Sequence, residues 1–301
     1  ALNTTFDWFI GPTDYKILKT YDENLSGSIS FGWGIIGWIN RFLFFPLFGL
    51  LSGFLPYGIA IILMTIIVRL ALSPVTYKSY LSQAKMKVLR PEINALNEKY
   101  GNDRAKKQQE TMKLYSKAGA NPMAGCVPSL LQLPVFLGLF YFFPVAFSLR
   151  GKSFLWAEDL SSYDAIAQLP FSIPFYGDHV SLFPLLASIA IFVYSKMTMG
   201  QQMQPSQPGI PNMKFMIYLM PIMMLFFFNN YASGLSLYYL ISNLITIGIM
   251  LVIKNYIIDE EKIFLKIEEN KKKPKKQSRF QRKMEEMMEQ AEQQRRSGRR
   301  R

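Results

Sequence analysis

Four stretches of this 301-residue chain contain no Asp, Glu, Lys or Arg: Phe42–Val68, Ala118–Leu149, His179–Ser195 and Phe215–Ile253. A helix rises about 1.5 Å per residue and a bilayer core is about 30 Å thick, so about 20 apolar residues cross it. Hydrocarbon offers no hydrogen bonds, and a crossing segment must satisfy its backbone internally. The last stretch, at 39 residues, holds two spans, with Asn229-Asn230-Tyr231-Ala232-Ser233-Gly234 as the turn between them. The pattern predicts an all-α membrane protein built on a five-helix transmembrane bundle, with spans at 57–77, 124–147, 182–199, 213–229 and 234–254.

Charge orients these spans. The net charge of +13 would suggest a nucleic-acid binder in a soluble chain, but half of the residues are apolar. The excess is also confined. Lys78–Lys117 carries +6 and Lys254–Arg301 carries +7, which leaves the rest of the chain neutral. Both blocks fall on one side of the membrane when the number of spans is odd, and basic segments remain on the cytoplasmic side. All 8 acidic residues outside the blocks lie in residues 1–30 and the 148–181 loop. The expected topology therefore has its N-terminus on the outer side and its C-terminus on the cytoplasmic side.

Segments between the spans acquire roles from this frame. Residues 31–55 are aromatic-rich, with Trp33, Trp38, one charge at Arg41 and Pro46. A further span there would reverse the N-terminus, so an amphipathic helix on the outer interface is expected. Residues 78–119 read as a cytoplasmic helical hairpin: Met86, Leu89, Ile93 and Leu96 share a helical face, Gly101-Asn102 stops that helix, Asp103 caps the next and Gly119 ends it. Residues 255–301 read as a solvated basic cytoplasmic tail suited to anionic lipid or ribosomal RNA. Since residues 1–30 are polar, with no signal before them, an upstream segment is expected to have been removed.

Several chemistries are excluded. One cysteine, Cys126, and one histidine, His179, form no intrachain disulfide and no Cys/His metal cluster. Gly151-Lys152-Ser153 lacks the earlier glycine of a phosphate-binding loop. The reading is a non-enzyme with no catalytic residue, no cofactor and no metal.

The conspicuous residue is Arg69. It lies eight residues before the inner end of its span, and none of the five spans contains an acidic partner. An intramembrane arginine costs between about 2.5 and more than 10 kcal/mol, depending on how water and lipid adapt. Gln132 and Thr246 fall at a similar depth on two other spans, and Tyr239, Ser242, Asn243 and Thr246 share one helical face. Convergence of these groups predicts a hydrophilic groove open to the cytoplasm. The bland alternatives are a snorkelling arginine and polar residues that only hold helices together. A competing function is a small-solute transporter or anion channel with Arg69 as its ligand.

The residues also carry a resemblance. Ile61-Ile62-Leu63-Met64-Thr65-Ile66-Ile67-Val68-Arg69 with Pro74, Asn121-Pro122-Met123-Ala124-Gly125-Cys126 with Pro128, Gln132 and Pro134, and Ser233-Gly234-Leu235-Ser236-Leu237-Tyr238-Tyr239 with Ser242-Asn243 resemble the YidC membrane protein insertases over about residues 5–260. Residues 1–30 look like the end of the exported periplasmic domain of Gram-negative members. The resemblance implies an insertase and chaperone that moves substrate helices into the bacterial inner membrane without nucleotide hydrolysis, alone or with the Sec translocon. It puts the groove arginine at Arg69 and groove polar positions at Gln132, Tyr239 and Thr246. Its implied partners are substrate membrane proteins, the Sec translocon, ribosomes or signal-recognition machinery at the hairpin and tail, and anionic lipid.

Overall fold

Most of the described residues in the charge-free stretches fold as helices. The structure, a computed structural model, describes residues 8–21, 23–101, 103–121, 127–202 and 213–272. Two short helices, α1 (Tyr15–Tyr21) and α2 (Glu23–Ser26), precede α3 (Gly34–Ser52), which contains a π-helical turn at Asn40–Phe44. The later helices are α4 (Tyr57–Val88), α5 (Arg90–Lys99), α6 (Arg104–Ala118), α7 (Val127–Val145), α8 (Leu182–Gln202), α9 (Met213–Asn229), α10 (Ser233–Ile257, ending in a π turn) and α11 (Glu260–Lys272).

Among the described residues, α3, α4 and α10 have the length and apolarity to cross a membrane, while α7, α8 and α9 contain shorter apolar cores. Thus α3 is span-like in length even though Arg41 interrupts it. The first expected span is longer than its apolar part: α4 runs on past Pro74 and through the basic residues to Val88, and ends just before Pro91, which lies in the first turn of α5.

The chain divides into two compact units. The first comprises residues 1–71, 130–195 and 211–246. Phe142 is central to its core, with Phe44, Phe45, Phe48 and Phe143 packed around it at centroid distances of 4.8 to 6.2 Å. Leu18, Ile29 and Phe31 form a satellite cluster under α1.

The all-α expectation needs one addition here. The loop between α7 and α8 contains an antiparallel pair, β1 (Ala165–Ile173) and β2 (Gly177–Ser181), with Gln168 opposite His179. Pairing satisfies backbone groups that a long loop would otherwise leave without partners. Asn229, expected as turn chemistry, holds this loop. Its Nδ2 donates to the carbonyls of Tyr176 and His179, and its Oδ1 accepts from the Ser181 N–H. Gly234 donates its N–H to Leu160 O, and a Cβ there would come within 2.7 Å of the Phe143 ring. His179 is buried, stacks on Tyr163 at 4.0 Å and donates from Nε2 to Asn229 O, so the lone histidine serves the cap that this loop forms.

The second unit comprises residues 72–129, 196–210 and 247–301. Leu89 and Ile93 are buried with Ala84, Tyr115, Ala118 and Ala120, and Met86 packs against them. Asp103 caps α6 by accepting from Lys106 N–H, and Gly119 ends it in the left-handed conformation. The tail differs from expectation. Residues 260–272 fold as α11, which packs on α6 and buries Ile263 and Ile267 in the same core. Lys271, read as part of a solvated basic run, pairs with Glu92 at 2.6 Å and Glu268 at 3.0 Å. The apolar pair Ile263 and Ile267, one helical turn apart, overrides the high charge of the segment. Residues 273–301, Asn102 and Cys126 lie outside the described residues.

One buried carboxylate makes the loop that carries β1 and β2 sensitive to pH. Asp164 Oδ2 accepts from Trp156 Nε1 and from the N–H groups of Leu182 and Phe183 at the start of α8, and its Oδ1 has no partner among the described residues. Burial holds its carboxyl above the ordinary 3.8, against the opposing hydrogen bonds. A raised folded-state value means that this group's stabilisation is present below its unfolded value and is lost as pH rises through the folded one. Asp164→Asn should remove that pH dependence and keep the neutral-pH thermal midpoint at or above the parent's. Asp164→Ala should lower stability by about 1–3 kcal/mol, because three donors lose their acceptor. Thermal unfolding in detergent at acidic and neutral pH checks both.

Candidate functional site

The polar residues singled out in the spans lie on three helices of the first unit. Arg69 is on α4, Gln132 on α7, and Tyr239, Ser242, Asn243 and Thr246 on α10. Each helix forms because its run is apolar and unbroken, so each polar side chain is carried at a depth that its position dictates.

Arg69 is half-buried, and its Nε donates to Ser242 Oγ at 2.5 Å. It makes no ion pair among the described residues. A serine hydroxyl accepts a hydrogen bond but carries no charge, so the guanidinium is oriented without being neutralised. Arg69 also lies within electrostatic range of the Tyr238 and Tyr239 hydroxyls, and the Gln132 amide lies beside that of Tyr239. The contacts are incomplete. Gln132 Nε2 and the hydroxyls of Tyr238, Tyr239 and Ser236 are buried with no hydrogen-bond partner among the described residues. Burying such a group unpaired costs about 1–3 kcal/mol.

Two members of the expected face behave differently. Asn243 Nδ2 donates to Tyr239 O and Thr246 Oγ1 to Ser242 O, both at 2.7 Å, so each is satisfied on its own helix. Thr246 therefore presents less free polarity than its sequence position suggests. Tyr238 is the residue that sequence reasoning missed. It is fully buried and lies on the Ser242 side of α10. The i, i+4 step from Tyr238 to Ser242 was the available signal, hidden because Tyr239 satisfied the same periodicity. The aromatic wall beside the cluster comprises Phe136, Phe228 and Tyr239, with centroids 5.2 to 6.4 Å apart.

A family model described as "60Kd inner membrane protein" matches residues 28–261. The chain belongs to the 60Kd inner membrane protein family. It is similar to proteins named "Membrane protein insertase YidC" from Parabacteroides distasonis, with 48% identity over 90% of this chain and 45% of the relative, and from Amoebophilus asiaticus, with 46% identity over 89% and 44%. A solved structure titled as an active YidC insertase with its first transmembrane domain resolved matches with a TM-score of 0.51 and 29% identity, covering 83% of this chain and 55% of that one. The chain thus spans about half the length of the relatives it matches. Family membership and apolar helices together give a multi-pass protein of a bacterial inner membrane.

Unpartnered atoms and paired atoms should respond oppositely to removal. Tyr239→Phe and Gln132→Leu should leave the thermal midpoint in detergent unchanged or raise it, since each deletes a buried polar group that lies beside the other without a well-formed hydrogen bond among the described residues. Ser242→Ala should lower stability by about 1–2 kcal/mol, by removing the acceptor that holds a charged donor.

Proposed function

We propose that this chain inserts substrate helices into the inner membrane, as an insertase and chaperone, through a hydrophilic groove centred on Arg69. The observation that carries the reading is an intramembrane arginine held, among the described residues, by a hydroxyl alone and accompanied by buried polar atoms that lack partners there. A folded chain retains such a cluster at a cost in stability. A transient occupant that supplies acceptors and water would recover part of it.

In this reading the topology has a periplasmic N-terminus, residues 31–55 on the outer interface, five spans, and the 78–119 hairpin with the 255–301 segment in the cytoplasm. A polar groove reaching partway across the bilayer shortens the hydrocarbon barrier for a substrate's polar flank. Arg69 attracts acidic groups on that flank. The substrate's apolar helix then partitions into lipid, and that transfer supplies the driving free energy, so no nucleotide is needed. Gln132, Tyr239 and Ser242 form the polar lining around Arg69, with Asn243 and Thr246 continuing the face along α10. The similarity to proteins named YidC insertases supports the substrate class. The Sec translocon, ribosomes or signal-recognition machinery, and anionic lipid are the partners that this reading assigns to the spans, hairpin and basic tail.

The test is insertion of a single-span protein with a short translocated tail into vesicles that contain only this chain. Arg69→Ala, Gln132→Leu and Tyr239→Phe combined should reduce insertion by about tenfold or more while the protein remains folded. Undiminished insertion of every substrate would remove the groove mechanism. A selective anion current in a sealed bilayer, without insertion, would favour the channel reading instead.

A further inference from the structure

A second polar feature lies at the other end of the first unit, around the start of α3. The segment 27–32 folds back over this helix and leaves a cavity of about 530 Å³, whose lining includes Ser30, Phe31, Gly34, Trp38, Arg41 and Phe42. The fold-back is close. Gly32 adopts a φ of +91°, and a Cβ on Gly37 would come 2.5 Å from the Gly32 carbonyl oxygen, so backbone meets backbone where any side chain would intrude.

Arg41 is on the wall of this cavity, exposed, with its guanidinium 5.4 Å above the Phe31 ring. It makes no ion pair among the described residues and is the only formally charged residue between Glu23 and Arg69. Stacking on the buried Phe31 holds the planar fork and leaves its N–H edge free, which suits two oxygens of one phosphate. The neighbouring surface is apolar. Trp33, Ile35, Trp38 and Phe42 are all more than 60% exposed, and the last three follow one stripe of α3. Exposed tryptophans beside a single cation are the composition of a membrane surface at headgroup depth.

We propose that this cavity binds the phosphate of a membrane phospholipid, with Arg41 as the cation and Trp38 and Phe42 against the upper acyl chains. Charge complementarity selects the phosphate, and the exposed apolar stripe selects a lipid over a soluble phosphate ester. The site is separate from the Arg69 cluster and does not rest on the insertase reading.

Native mass spectrometry of the detergent-purified chain tests it, with phosphatidylethanolamine as the probe because its zero net charge limits attraction to the basic segments. One equivalent of lipid should be retained, and Arg41→Gln, an exposed substitution that leaves the core intact, should weaken retention about tenfold. Arg150→Gln serves as the control, since Arg150 also stands over an aromatic ring, that of Phe147 at 5.3 Å, without lining this cavity. It should leave retention unchanged. Diacylglycerol with the same chains should not be retained, and glycerophosphoethanolamine should not compete. Unaltered retention by Arg41→Gln, equal weakening by Arg150→Gln, or equal binding of diacylglycerol would overturn the proposal. Competition by the chain-free headgroup at the lipid's own concentration would overturn the lipid source in favour of a soluble phosphate ester.

Discussion

Hydrocarbon solvates neither backbone amides nor charges, and most of this molecule answers to that constraint. Every long apolar stretch becomes a helix because a helix satisfies its own backbone. Against that background, the hydrogen bond from Arg69 to Ser242 is the exception around which the first unit's polar interior is arranged. It orients a charge that no carboxylate among the described residues balances, and it joins α4 to α10 at a place where ordinary packing would favour apolar contact. The tyrosines of α10 and the Gln132 amide add dipoles that remain short of partners. Such an interior is polar without being satisfied, which suits transient occupancy better than permanent structure.

The loop cap of the same unit uses polar groups in the opposite way. Asn229 spends its amide on three backbone partners, His179 bonds its carbonyl, and Asp164 accepts three donors. These bonds tie the β1–β2 loop and the start of α8 to the turn between α9 and α10. One unit therefore contains a nearly complete hydrogen-bond network at its cap and an incomplete one along α10. The contrast assigns rigidity to the first and exchange to the second.

Much of the fold was legible because its signals are local. Caps such as Asp103 and Gly119 act within a few residues, and α6 starts and stops where expected, whereas the break between Val88 and Arg90 divides a face that reads as one helix in the sequence. The Arg69 site was legible for a related reason: an arginine in an apolar run stands out without any knowledge of its neighbours. Less visible were the partners. Tyr238 was masked by Tyr239, and Thr246 looked available although it bonds its own helix. Helix α11 was hidden by its charge, since Ile263 and Ile267 find their value only against Leu89, Ile93 and Tyr115.

The sequence by itself determined which segments are helical and apolar, where the basic blocks fall, and that one arginine lies among residues that offer it no acid. These follow from composition along a line, where hydrophobicity and charge act on each residue independently. Only the tertiary structure decided that Ser242 receives that arginine, that Asn229 anchors the β1–β2 sheet, and that a glycine-lined fold-back places Arg41 at a cavity. Those outcomes depend on residues distant in the chain approaching within hydrogen-bond or van der Waals range. Side-chain periodicity states which face a residue occupies, but it does not state what that face meets.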